Sequence, residues 1–351
     1  MQAVQNLPND DLILECFERI GIAGEQLVPV QMNSARRSLN LLLLDWLSKS
    51  LNLWTLKIGY LSLESGQCKY LMESSTIDIF QINLRQFTRV LNGIPKSNTL
   101  ETSDGLGGGT VANAFIESNS SCTQLAENGN ISYSFEGNKF NTINFIGVKS
   151  NVDREYSFNV EYSNDGVTWE LLMEIPLQSF TKGTTIWFDV ERAILAKEIR
   201  LRLTNDVILD VQEIYFTNNI VDLNLSKVSR NSYLSFSQKF TQGRPTCYYF
   251  DKQIEPILNI WQSPAATYKV LQYSFIRVMK DIKGFYDVAD VPSRLFPALT
   301  WGLTWMLAVK YNPEIAPFMK DEYDQSFNRA TENDVENVDL TINYDVSSYD
   351  Y

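Results

Sequence analysis

The sequence contains no histidine at any of its 351 positions. That absence removes Ser-His-Asp and Cys-His nucleophile sites, histidine general bases and every His-containing zinc site. Cysteine is scarce too. Cys16, Cys68, Cys122 and Cys247 are scattered with no C-x-x-C pair, so neither a zinc knuckle nor a redox pair is indicated, and they read as reduced core thiols. Basic residues are outnumbered, 30 against 42 acidic, for a formal charge of −12. Such an excess argues against a surface that binds nucleic acid by neutralising phosphates, and leaves open a passage through which DNA slides without sticking. Long apolar runs are also missing. Leu295–Val309, 15 uncharged residues interrupted by Pro297 and Gly302, falls short of a bilayer span. The opening residues MQAVQNLPNDD carry no basic-then-apolar signal pattern. No Gly-Lys-Ser/Thr follows the Gly107-Gly108-Gly109 cluster, so it is not a P-loop.

What is present describes an ordinary folding chain, 44% hydrophobic and 12% aromatic. Leu12, Ile13, Cys16, Phe17 and Ile20 recur at helical spacing after a cap at Asn9 or Asp10, and Gly21 ends the run. A second helix is expected over 33–51. Its apolar face runs through Ala35, Leu39, Leu42, Leu43, Trp46 and Leu47, and Leu41 and Leu44 widen it beyond what one internal core needs. The period then falls to two at Trp54–Tyr60, Cys68–Met72 and Ile77–Leu84. Gly93–Gly109 has linker composition. Seven strands follow between 131 and 216, spaced as in a sandwich or jelly roll, with Asn164-Asp165-Gly166 as a hairpin turn. Strands at 233–240, 246–250, 257–261 and 268–273 precede a helical hairpin broken at Asn312-Pro313. The first 92 residues and the last 130 or so make poor separate domains, whereas together they share one core, so an interrupted domain is expected.

Met32-Asn33-Ser34-Ala35-Arg36-Arg37-Ser38-Leu39-Asn40-Leu41-Leu42-Leu43-Leu44-Asp45-Trp46, then Leu53-Trp54 and Gly66-Gln67 before Tyr70, resembles the head-to-tail connector (neck adaptor) family of tailed bacteriophages. The resemblance resumes at Leu225–Arg230 and Tyr233. It continues through Gly243-Arg244-Pro245-Thr246, Tyr248-Tyr249, Asp251, Asp290-Val291-Pro292, the helix at 295–310 and Tyr323. It implies an α+β fold: a discontinuous helical connector core with small antiparallel β-elements over 1–98 and 219–338, interrupted at 99–218 by a linker and an all-β sandwich. It also implies a ring of about 12 copies in the virion neck, assembled in the host cytoplasm, that joins the portal protein to a tail or nozzle protein. Packaged double-stranded DNA would pass through its channel without specific binding. No enzyme activity, cofactor, metal or membrane role is implied.

The inserted stretch has a resemblance of its own. Glu161-Tyr162-Ser163-Asn164-Asp165-Gly166-Val167-Thr168-Trp169 and Glu198–Leu203 look like the hairpin and a later strand of discoidin-type (galactose-binding-like) β-sandwiches. That fold hosts glycan binders as well as plain spacers, so glycan or host-surface recognition is the alternative function. The acidic tail, 339–351, alternates Leu340, Ile342 and Tyr344 and ends with Tyr349 and Tyr351, a pattern suited to adding a strand to a portal edge. Asp10-Asp11, Asp287/Asp290 and Asp321-Glu322 read as helix caps and solvated faces, since none has an accompanying catalytic group.

Overall fold

The computed structural model describes residues 8–48, 53–90, 93–97, 111–115, 123–125, 129–205, 207–282 and 287–332. The chain divides into two compact units: Met1–Lys57 with Ser75–Ile77 and Ile276–Tyr351, and Ile58–Ser74 with Asp78–Phe275. The fold is mixed α+β with a large β-sandwich.

The first unit is helical. Helix α1 spans Asn9–Arg19 and α2 spans Pro29–Ser48, with Pro29 opening the helix at a position where no amide hydrogen is needed. Near the other end of the chain lie α4 (Phe296–Tyr311) and α5 (Ala316–Glu332), after a short α3 (Arg230–Ser235) in the second unit. Leu12, Phe17, Leu39, Trp46, Leu299 and Tyr323 belong to one buried cluster, so the two ends of the chain share a single hydrophobic interior. Gly302 lets the helices approach: a Cβ there would lie 2.8 Å from Leu42 and 2.9 Å from Tyr323. The Asn40 side chain brackets one residue of the returning chain, accepting from the Ile282 amide at 3.1 Å and donating to its carbonyl at 3.3 Å. Lys310 donates to Ser38 at 2.6 Å, and Arg277 grips Asp290 with both terminal nitrogens.

The second unit carries the strands. In chain order they begin with β1 (Leu56–Ser62), β2 (Lys69–Leu71), β3 (Thr76–Arg89), β4 (Gly93–Ser97), β5 (Thr123–Leu125) and β6 (Asn130–Phe135). Next come β7 (Asn141–Ser150), β8 (Arg154–Ser163), β9 (Glu170–Phe180), β10 (Thr185–Ala196), β11 (Glu198–Leu203) and β12 (Leu209–Asn224). The last are β13 (Ser226–Lys227), β14 (Gln242–Gly243), β15 (Cys247–Asp251), β16 (Ile257–Trp261), β17 (Ser263–Pro264) and β18 (Val270–Arg277). One sheet runs β4-β6-β11-β8-β9; another runs β1-β18-β3-β12-β7-β10, with β5 on β12. The sandwich forms between the first sheet and the β12-β7-β10 half of the second, around Ile131, Phe158, Ile199, Ile146, Val148 and Ile214. Strand alternation gives the second sheet another buried face. Phe145, Trp187 and Tyr215 point away from the sandwich core into a separate aromatic cluster with Val270, Tyr60 and Phe87.

Several expectations are corrected. Asn9 lies inside α1 rather than capping it, because its side chain donates to the Asp287 carbonyl. Trp54 sits in a 3-10 turn ahead of β1, held by its indole N–H to the Asp290 carbonyl at 3.1 Å. The start of the expected linker is strand β4, at a sheet edge where Pro95 costs no interior ladder bond. A Cβ on Gly93 would meet the Ser134 carbonyl at 2.5 Å, so the glycine there answers to close packing rather than flexibility. The expected strand at 233–240 is instead α3, capped by the Ser229 hydroxyl accepting from the Ser232 amide at 3.2 Å. The breaks expected at 98/99 and 218/219 also differ from the compact division. β12 runs unbroken through 218 and pairs with both β7 and β3, so the β-elements assigned to a connector core lie in the same unit as the sandwich.

Candidate functional site

The two edge strands of the long sheet, β1 and β10, are tied by side chains. Ser62 Oγ donates to the Thr185 carbonyl at 2.5 Å, Trp187 Nε1 donates to Ser62 Oγ at 2.9 Å, and the Tyr60 hydroxyl donates to Asp189. The sheet therefore curls nearly shut around the aromatic cluster. Gly147 leaves room for the Trp187 ring, which a Cβ would approach to 2.6 Å.

A charged group lies within the curl. Arg85, 6% exposed, holds Asp222 through two nitrogens at 2.8 Å and Asp189 through a third at 2.5 Å. Partial burial first, and then the nearby Asp222 carboxylate, push Asp189 up to about 6. Three residues so far apart in sequence give no local motif, so sequence reasoning had no signal for this cluster.

Beside it opens a cleft of about 1010 Å³. Its walls come from the β1–β2 connection, the ends of β7 and β12, and the turn between β9 and β10. Lys149, Lys182, Lys269, Glu64 and Glu213 supply its charges. Glu213 is buried and accepts from the Tyr215 hydroxyl, and it stands directly across the β7–β12 ladder from Lys149. Gly183, at φ +76°, shapes the turn behind Lys182, whose amide donates to Asp153 at 2.7 Å. The aromatic walls are committed to the fold. Trp187 stacks on Phe145 with centroids 5.0 Å apart, and Arg89 lies 4.2 Å over the Tyr215 ring. Burial pushes the Tyr70 hydroxyl up to about 12, where it bonds to the main chain of Glu64 and Gln67. Fixed charges and hydroxyls line this concave wall, a chemistry that suits a polar ligand. Among the described residues, no group of three or more acidic or sulfur side chains is placed to hold a metal ion.

The residues expected to dock on a portal, Leu340, Ile342, Tyr344, Tyr349 and Tyr351, lie outside the described residues. The expected hairpin turn is formed. Asp165 accepts from the Val167 and Thr168 amides at 2.8 and 2.7 Å and from the Thr168 hydroxyl, which together hold its carboxyl far below the ordinary range. Trp169 lies under the Arg200 guanidinium at 4.1 Å, and Arg200 pairs with Glu161. Asp10 pairs with Arg36 at 3.0 Å. On α2, Leu41 is 58% and Leu44 50% exposed, while Leu39, Leu42, Leu43 and Trp46 are buried. Cys16, Cys68 and Cys247 are buried free thiols. No helix of the described residues is long and apolar enough to cross a membrane.

The sequence matches no family model and no curated protein. Among solved structures, it is similar to a pectin-binding carbohydrate-binding module, with 18% identity and a TM-score of 0.31 over 38% of this chain and 94% of that one. A chitosan-binding module of a chitosanase/glucanase from Paenibacillus sp. IK-5 gives 18% identity and a TM-score of 0.28 over 37% and 96%. A family 32 module from Clostridium perfringens, solved with GalNAc-β-1,3-galactose, gives 14% and 0.30 over 35% and 94%. At these values the likeness assigns neither a ligand nor an activity to this chain.

Proposed function

We propose that the chain is a structural adaptor of a virion neck, whose helical unit packs copy against copy in a closed ring between a portal and a tail protein. The observation that carries this reading is on α2. One side of the helix is sealed into the core shared by both ends of the chain, while Leu41 and Leu44 remain outward. An apolar stripe on a rigid element suits repeated packing about a closed symmetry axis. The ordered likeness of 32–70 and 225–323 to neck adaptors and the charge of −12 support the same reading, the latter by disfavouring retention of passing DNA. The 339–351 tail would dock on the portal. The test is the mass of the purified chain mixed with its portal. A discrete ring–portal species that Leu41→Glu/Leu44→Glu abolishes is expected. Unaltered assembly of that variant, or no assembly of the natural chain, overturns the reading. Deleting 337–351 and measuring the same species tests the tail separately.

A second reading, saccharide recognition by the β-rich unit, is favoured by the cleft: a concave site with hydroxyl-bearing and charged walls suits a polyhydroxylated ligand. A glycan array probed with the full chain tests it. Retention of no saccharide would reject it.

A further inference from the structure

We infer that the exposed stripe of α2 on one copy seats against the exposed start of α5 on the next, Leu41 and Leu44 meeting Phe318 while Arg37 pairs with Asp321 and Glu322. The inference rests on the ring reading and deepens it by naming the second surface that a ring requires.

Both stripes consist of side chains left outward on helices. At about 100° per residue, Val30, Arg37, Leu41 and Leu44 fall within about 60° of arc on α2. Val30 is 72% exposed, and Arg37 is exposed beside Leu41 and Leu44. Arg36 is turned to Asp10, but Arg37 has no partner among the described residues. On α5, Phe318 is 59% exposed, and Asp321 and Glu322 stand about one turn further along the same side. Neither acid has a partner among the described residues. Lys320 is turned elsewhere, over the Trp305 ring, and Arg329 comes about three turns after Phe318.

Each stripe therefore sets a charge about one turn from an apolar knob, positive on α2 and negative on α5. The spacing is four residues in both, Arg37 to Leu41 and Phe318 to Glu322, or about 6 Å along the axis. The order is reversed between them. An antiparallel approach thus brings Leu41 to Phe318 and Arg37 to Glu322 together, and charge complementarity of this kind fixes which surface meets which.

The stripes do not meet within one copy. On α2, Trp46 lies about 180° round the helix from Arg37, and on α5 Tyr323 lies about 140° from Phe318. The Trp46–Tyr323 bond therefore joins the opposite flanks. Contact between two different surfaces of identical copies is heterologous and repeats head to tail until the rotation closes.

The experiment reverses the charges in the full chain and measures the ring–portal species by mass. Arg37→Glu alone, and Asp321→Lys/Glu322→Lys alone, should each lower it at least about tenfold, because like charges then face each other across the contact. The two variants mixed should restore it, since copies that alternate present only opposite charges. Circular dichroism and melting temperature check that each variant folds. If the paired acid variant does not, Asp321→Lys, at an exposed position, takes its place. Undiminished assembly of either variant alone, or a mixture that stays unassembled, overturns the inference; the ring reading still stands if the natural chain assembles and Leu41→Glu/Leu44→Glu does not. No assembly of the natural chain overturns both.

Discussion

The indole N–H of Trp46 donates to the hydroxyl of Tyr323 at 2.8 Å, a buried bond that ties α2 to α5 across 277 positions of sequence. Phe327 closes over the same indole with centroids 5.5 Å apart. The bond joins a helix from the amino-terminal stretch of the first unit to one from its carboxy-terminal stretch.

Trp46→Phe keeps most of the ring volume and removes the donor. It should destabilise the fold by about 1–2 kcal/mol, the usual cost of breaking a buried neutral hydrogen bond. Tyr323→Phe should cost a similar amount, and the double variant should cost less than the sum of the two. Urea unfolding of the three variants checks this, and full additivity would mean that the bond carries no coupling.

Gly302→Ala should overpack the contact of α4 with α2 and α5, because the new methyl meets Leu42 and Tyr323 below 3.0 Å. A loss of about 1–3 kcal/mol is expected despite alanine's better helix propensity. A rise in melting temperature would contradict the close approach.

Asp189 gives a pH dependence of definite sign. Its carboxyl, pushed up to about 6 by burial and by Asp222, holds a proton more tightly in the folded than in the unfolded chain. Its contribution to stability is therefore complete below about 4 and is lost as pH rises through 6. Asp290 has the opposite sign. Burial pushes it up, but the Arg277 hydrogen bonds and the Lys280 amide outweigh that and hold it low, so its contribution is present above about 4 and is lost on acidification. Denaturant midpoints of Asp189→Asn should lack the decline between pH 4 and 6 that the natural chain shows, whereas Asp290→Asn should flatten the acid limb.

Asp165→Ala should loosen the β8–β9 hairpin by leaving the Val167 and Thr168 amides without their acceptor. Faster amide exchange confined to residues 163–170 is the expected readout; an unchanged exchange pattern would show that the turn holds without the carboxylate.

The sandwich strands were legible because alternation sets one face of each toward a core, and the expected stretches at 142–148, 156–162 and 198–203 sit inside β7, β8 and β11. The paired helices at the end were legible for the same reason at the helical period. What stayed hidden was pairing at long range. Nothing local in β12 says that its second half turns to β3, and that ladder decides where the compact units divide. β4 was hidden by Gly93 and Pro95, which read as linker until the edge position and the Ser134 contact explain them. The cleft was hidden because its lysines come from three separate segments.

The shared interior of α1, α2, α4 and α5 has a consequence for synthesis. Helices α1 and α2 are translated before the strands, yet the surface they bury against, on α4 and α5, is translated after them. The β-rich unit is complete by then and has all its own strands, so it can close while the amino-terminal pair waits with Leu12, Phe17, Leu39 and Trp46 unsheltered. Domains generally fold as units during translation, and apolar surface left open in the interval invites aggregation. Truncated nascent chains that end before residue 296 should therefore be the species most dependent on chaperone holding, and full-length chains should be released from it.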